Sequence, residues 1–253
     1  VSIRRSHLAV LTVVGVCLLA LPAGTARSAT RAQLTVYAAA SLTNVFPAID
    51  KNEKYSFGGS NALAAQIKQG APADVFASAN MTLPTQLFQQ GFCSKPKVFT
   101  RNTLVIVVPK SNPAHIRNIY NLTRSGVKID IAASGVPVGT YTLQILKNMN
   151  LSSAVLKNVV SQETDVREVL AKVALGEADA GFVYSTDAKT VPGKVKVIKI
   201  PAWAQPKVQY GICVVSSSSQ KSAATTFIKR VMGKAGQKKL HKFGFLPRVK
   251  PKS

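Results

Sequence analysis

Apolar residues along this chain come in short runs separated by amphipathic segments, and the alternation persists almost to the end. Residues 33–38 read as a strand, dominated by apolar and β-branched side chains and ending in alanines. Ser41 follows at a helix N-cap position, ahead of a short helix reaching about residue 50. Pro47 lies too deep for a first-turn proline, so it is expected to kink or shorten that helix. Residues 55–57 predict a second strand, leading through Gly58-Gly59-Ser60-Asn61 into a helix over 62–69 closed by Gly70. A strand, small residues, a serine and a helix thus occur twice in succession.

The pattern then continues. Residues 71–78 supply a third strand, and 81–90 a helix stopped by Gly91. Residues 104–108 are almost wholly apolar, as in a strand buried on both faces, and the polar run 109–113 reads as a crossing between lobes. Further strands are expected at 128–133, 159–161, 180–185, 195–200 and 209–215, the last a candidate return crossing. Helices are expected at 140–149, after the tight loop 135–139, and at 164–175, 221–232 and 237–243. Within 164–175, Val166, Val169, Leu170, Val173 and Ala174 fall at helical spacing before Gly176. Such alternation implies an α/β architecture with largely parallel sheets.

The first segment departs from this pattern. Arg4 and Arg5 precede an apolar run over residues 8–21, then Pro22 and a stretch of small residues. That is the layout of a secretory signal peptide covering residues 1–28, with cleavage after Ala26 or Ser28, and it implies an exported protein, periplasmic or associated with the cell envelope. Cys93 and Cys213 are then an even pair in an oxidising compartment; one disulfide and two buried free thiols are both compatible with the sequence. The formal charge of +23 is large, but the lysines are scattered and lack the aromatic interleaving of a single-strand binding groove. Nucleic acid is therefore not expected as a partner; a solvated basic surface that attracts anions at long range is.

Enzyme motifs are missing from the sequence. His115 and His241 lie far apart without metal-ligand spacing, and no Gly-x-Ser-x-Gly elbow surrounds Ser41, Ser60 or Ser78. No phosphate-binding loop of Walker type occurs. Neither an enzyme nor a cofactor is expected.

Several stretches together carry a resemblance. Tyr37-Ala-Ala-Ala-Ser41-Leu-Thr-Asn44, Phe57-Gly-Gly-Ser60-Asn61, Leu63-Ala-Ala-Gln-Ile67 and Gly70-Ala-Pro-Ala-Asp74-Val-Phe76 resemble the periplasmic molybdate-binding proteins of ABC-type uptake systems. The likeness continues through Val136-Pro-Val138-Gly-Thr-Tyr141, Glu163-Thr-Asp165-Val166-Arg167, Gly181-Phe-Val-Tyr184-Ser-Thr-Asp187-Ala188 and Lys242-Phe-Gly-Phe245. It covers essentially the whole mature chain, although the segment between Asn44 and Tyr55 is shorter than the family usually has.

The resemblance implies the two-lobe periplasmic binding protein fold (type II), with two hinge crossing strands. One lobe would comprise residues 33–108 plus 208–250, and the other residues 109–207. It also implies molybdate or tungstate as ligand, a membrane permease of an ABC transporter as partner, and a monomer. The ligand contacts it implies are Ser41 and Ser60 from the first lobe, and Val138, Val166 and Tyr184 from the second. Oxygens of a tetrahedral dianion only accept hydrogen bonds, so hydroxyls and helix N-terminal amides suit it. A site without a carboxylate acceptor would disfavour a protonated phosphate; sulfate or another tetrahedral oxyanion would satisfy the same donors. An exported adhesion or scaffolding protein using its basic surface is the alternative from another class.

Overall fold

The computed structural model describes residues 1–2 and 33–248. Apart from its first two residues the expected signal segment lies outside the described residues, as does the end of the basic tail. Residues 33–248 form one compact body.

The strands are β1 (Thr35–Ala39), β2 (Lys54–Gly58), β3 (Val75–Ser78), β4 (Lys97–Asn102) and β5 (Leu104–Pro109), followed by β6 (Ile129–Ala132), β7 (Val159–Glu163), β8 (Ala180–Tyr184), β9 (Val195–Lys199) and β10 (Val208–Val214). They build two five-stranded sheets, in the orders β2-β1-β3-β10-β4 and β7-β6-β8-β5-β9. Each sheet is the floor of one lobe. In each, three consecutive neighbours run parallel, β2-β1-β3 and β7-β6-β8. The long-range strands β10 and β5 then add antiparallel to the set, so each sheet is mixed rather than purely parallel.

The helices are α1 (Val45–Ile49), α2 (Ser60–Lys68), α3 (Thr82–Gln89), α4 (Pro137–Asn148), α5 (Ser152–Leu156), α6 (Val166–Leu175), α7 (Ser185–Ala188), α8 (Lys221–Met232) and α9 (Lys234–Lys242). Helices α2 and α3 pack on the first sheet, α4 and α6 on the second, and α8 on β10. The apolar stripe of α6 is its packing face: Val166, Val169, Leu170 and Val173 are buried. Its ends follow local chemistry. The Asp165 carboxylate accepts from the amides of Arg167 and Glu168, and Gly176 takes φ +80° to close the last turn.

Three expectations are corrected. The helix after Ser41 is not continuous. A 3-10 turn over Ala40–Leu42 is followed by the separate five-residue α1, with Pro47 in its first turn. A continuous helix would need an amide at residue 47 to bond the Thr43 carbonyl, and the proline ring would collide with that carbonyl; the break falls at that point. Second, residues 97–102 form β4, where no strand was expected, because the mixed sequence Lys-Val-Phe-Thr-Arg-Asn is an edge strand with a single neighbour, β10.

Third, the first crossing between lobes lies at Thr103, not at residues 109–113. Strand β5 belongs to the second sheet, so the first lobe ends at Asn102 rather than Val108. The apolar character of β5 explains why: all six residues are buried, between β8 and β9 laterally and beneath α6 and α4. Each fully buried aliphatic side chain there stabilises by about 2 kcal/mol. The return crossing is likewise the segment before β10, around the 3-10 turn Ala202–Ala204, and not β10 itself. The two crossings are clipped together: Gln205 donates through Nε2 to the Leu104 carbonyl at 2.7 Å and accepts from the Leu104 amide at 3.1 Å.

Cys93 and Cys213 form a disulfide across 120 residues of sequence, joining β10 to the chain after α3. Closing so long a loop restricts the unfolded chain by about 4–5 kcal/mol in the chain-entropy account. The double variant Cys93→Ser/Cys213→Ser is expected to lose roughly 2–5 kcal/mol of stability, read as a lower urea midpoint at unchanged ligand affinity.

Candidate functional site

All the parallel strands of both sheets point their carboxyl ends toward one cavity, which is where ligands bind in open α/β sheets. From the first lobe, β1 runs into the Ala40–Leu42 turn that carries Ser41, and β2 runs through Gly58 and Gly59 into Ser60. From the second, β6 leads to α4 and Val138, β7 to α6 and Val166, and β8 ends on Tyr184. The five residues expected from the sequence, Ser41, Ser60, Val138, Val166 and Tyr184, all line this cavity. It is small: about 10 Å3 admits the centre of a water-sized sphere, against about 300–1,000 Å3 for sites that take drug-sized ligands.

The cleft is closed. A Cβ on Gly59 would overlap the Thr164 carbonyl oxygen of the opposite lobe, so only glycine allows this approach. Arg167, at the start of α6, reaches across the cleft: its Nη2 donates to Asn44 Oδ1 at 2.8 Å, while its Nε pairs with Asp187 at 2.9 Å and Nη1 donates to Thr190 at 3.0 Å. Its charge is thereby spent on Asp187, whose carboxyl burial pushes up to about 7 even with the guanidinium beside it.

The lining is rich in donors. Ser60 is the first residue of α2 and Ser41 sits inside the 3-10 turn; neither side chain caps its own turn. Val166 and Val138 occupy the first and second positions of α6 and α4, where amides have no intrahelical acceptor. Asp165 takes up the next two amides of α6, leaving that of Val166 for the cavity side. Pro137 at the first position of α4 has no amide to satisfy. Among the described residues the buried Tyr184 hydroxyl has no partner at hydrogen-bond distance, and burial, with Tyr210 beside it, raises its pKa well above the usual phenol range, so it remains a donor. Among the described residues no lysine or arginine lines the cavity.

One sequence expectation about the lining is modified: an acidic residue, Asp165, is among those that line it. Its Oδ1 is held by the two helix amides, and burial raises its pKa. Its cap position was legible in the sequence; its place beside the cavity was not, because the lobe-closing contact at Gly59 brings the N-terminus of α6 there. Sequence reasoning also missed Tyr210, which bonds Ser41 Oγ at 2.9 Å, and Asn102 behind it. These partners lie 169 and 108 residues away from theirs, and no local pattern signals such pairs.

With this geometry in hand, the likeness to known proteins is specific. The model of the bacterial extracellular solute-binding protein family matches residues 34–246. The molybdate-binding protein ModA of Mycobacterium tuberculosis is 37% identical over 234 residues, 88% of this chain and 87% of that protein. ModA of Haemophilus influenzae is 33% identical over 86% of this chain and 91% of its own. Among solved structures, the substrate binding domain of a putative molybdenum ABC transporter from Clostridium difficile superposes with a TM-score of 0.62 at 30% identity, covering 86% of this chain and 99% of that one. The periplasmic molybdate-binding protein of Azotobacter vinelandii shares the fold at a TM-score of 0.74 and 22% identity, over 86% of this chain and 100% of its own. The chain belongs to the bacterial extracellular solute-binding protein family.

Proposed function

We propose that this protein is an exported solute-binding component that captures molybdate or tungstate and delivers it to the membrane permease of an ABC transporter. The observation that carries the reading is the set of neutral donors, Ser41, Ser60, Tyr184 and the amides at Val138 and Val166, converging from both lobes on one small closed cavity. A tetrahedral dianion presents only acceptors, so each oxygen finds donors and none needs a buried cation. Hydrogen bonds to a charged partner contribute about 1.5–3 kcal/mol each. Several such bonds offset the desolvation of a small dianion and the cost of lobe closure. The molybdate-binding relatives make that anion the first to test.

The protein acts as a carrier rather than an enzyme. Its family is one of solute-binding proteins, and that is what supports the reading. It works as a monomer in the periplasm or cell envelope and needs no cofactor beyond its cargo. No helix among the described residues is long and apolar enough to cross a membrane, in keeping with a carrier that shuttles between solution and permease.

Titration calorimetry with molybdate, tungstate, sulfate and phosphate tests the assignment. Tight binding of molybdate or tungstate is expected; binding of sulfate with no heat from either metal oxyanion overturns it. Ser41→Ala and Ser60→Ala are each expected to weaken molybdate binding at least about tenfold in a protein that still folds, with a melting temperature lowered only by the loss of the Tyr210 and Ala79 contacts.

Asp165 adds a pH dependence. Its carboxyl already titrates above the usual range, and a bound dianion raises it further, so binding takes up a proton. Affinity is therefore expected to rise as pH falls from 8 to 5. Asp165→Asn keeps the helix cap and should flatten that dependence; an equally steep profile in the variant would remove Asp165 from the site.

A further inference from the structure

Behind the cavity lies a buried chain of polar groups that starts on β4. The Asn102 side chain has a fixed orientation: its Oδ1 accepts from the Thr103 amide at 2.9 Å and from Ser185 Oγ at 3.0 Å. A backbone amide only donates, so the oxygen must face Thr103 and the NH2 group must face the other way. There Nδ2 meets Thr186 Oγ1 at 2.9 Å and Tyr210 Oη at 3.4 Å. That nitrogen has protons and no lone pair to offer, so Tyr210 Oη receives. The phenol's own proton is thereby free for its other partner, Ser41 Oγ, at 2.9 Å.

Ser60 obeys the same logic by a shorter route. Its Oγ accepts from the Ala79 amide at 3.1 Å. On each serine one lone pair is capped by a fixed donor, and the hydroxyl proton is left for the cavity. The buried, unpartnered hydroxyl of Tyr184 completes the wall.

We propose that Asn102, Tyr210 and Ser41 form a polarity relay that aims the Ser41 hydroxyl proton into the cavity, which makes Tyr210 a positioning residue for the bound anion. The inference rests on the anion-binding reading above and deepens it. A serine oxygen that already receives one bond keeps its proton and one lone pair, so the bond from Tyr210 restricts how the Ser41 hydroxyl can turn and holds its proton ready for an anion's oxygen. The relay also spans the two lobes, because Asn102 in the first sheet is held by Ser185 and Thr186, which follow β8 of the second.

Tyr210→Phe isolates the hydroxyl, since the ring keeps its edge-on packing against Phe99, Tyr184 and Phe245 at 6.1, 5.6 and 5.6 Å. By calorimetry, molybdate binding is expected to weaken roughly tenfold. In a Ser41→Ala background the same substitution should have no further effect, since the relay then has no terminus. Equal losses in both backgrounds overturn the relay and leave Tyr210 a packing residue. Should Tyr210→Phe fold poorly, site-specific 3-fluorotyrosine at position 210, a stronger donor of nearly the same shape, is expected to tighten binding; unchanged or weaker binding overturns the proposal. A wild-type protein that binds sulfate but neither molybdate nor tungstate removes the molybdate reading alone, and the same cycle run with sulfate still decides the relay. A wild type that binds none of these anions overturns both.

Discussion

A small dianion leaves water only where fixed donors replace its hydration shell, and this constraint organises the structure. Hydroxyls and amides cannot gather at one point along an extended chain. They converge here because parallel strands of two sheets all end on the same side, and each end turns into a helix or 3-10 turn whose first amides are unpaired. The mixed topology follows from the need to connect two such sheets. Strands β5 and β10 enter each sheet from the other lobe and run antiparallel to it, which places both crossings side by side at Leu104 and Gln205.

The hinge region also carries the hydrogen-bond polarity of the site. Asn102 is the last residue of the first sheet before the crossing, and it holds Ser185 and Thr186 just beyond β8. From there Tyr210 passes the donor direction to Ser41. The same tyrosine lies in a run of edge-on aromatic contacts from Phe46 through Phe99 to Tyr184. The groups that set lobe position and those that aim the ligand's donors are thus packed in one piece, while Arg167 and Gly59 make the contact on the opposite side of the cavity.

Electrostatics acts on two scales. Among the described residues no lysine or arginine is buried, so their charge draws anions in at long range and is screened by salt. Inside the cavity the wall is neutral apart from Asp165, and the cation nearest in sequence, Arg167, is committed to Asp187. Capture and retention therefore rest on different groups: long-range attraction by scattered lysines, and short-range recognition by hydroxyls and amides.

Much of this was legible along the chain. The strand-to-helix junctions at Ser41, Ser60, Val138, Val166 and Tyr184 are local events, set by small residues, caps and hydrophobic period, so their types and order follow from neighbours within a few residues. The Asp165 cap and the Gly176 stop are of the same kind. Other features depended on partners far away in sequence. The Cys93–Cys213 pairing, the edge strand β4, the place of β5 in the second sheet and the Asn102–Tyr210–Ser41 chain are all decided by contacts formed only when the lobes assemble. A sequence specifies which groups can donate; only the tertiary structure fixes which lone pairs are already occupied, and hence what the cavity has left to offer a ligand.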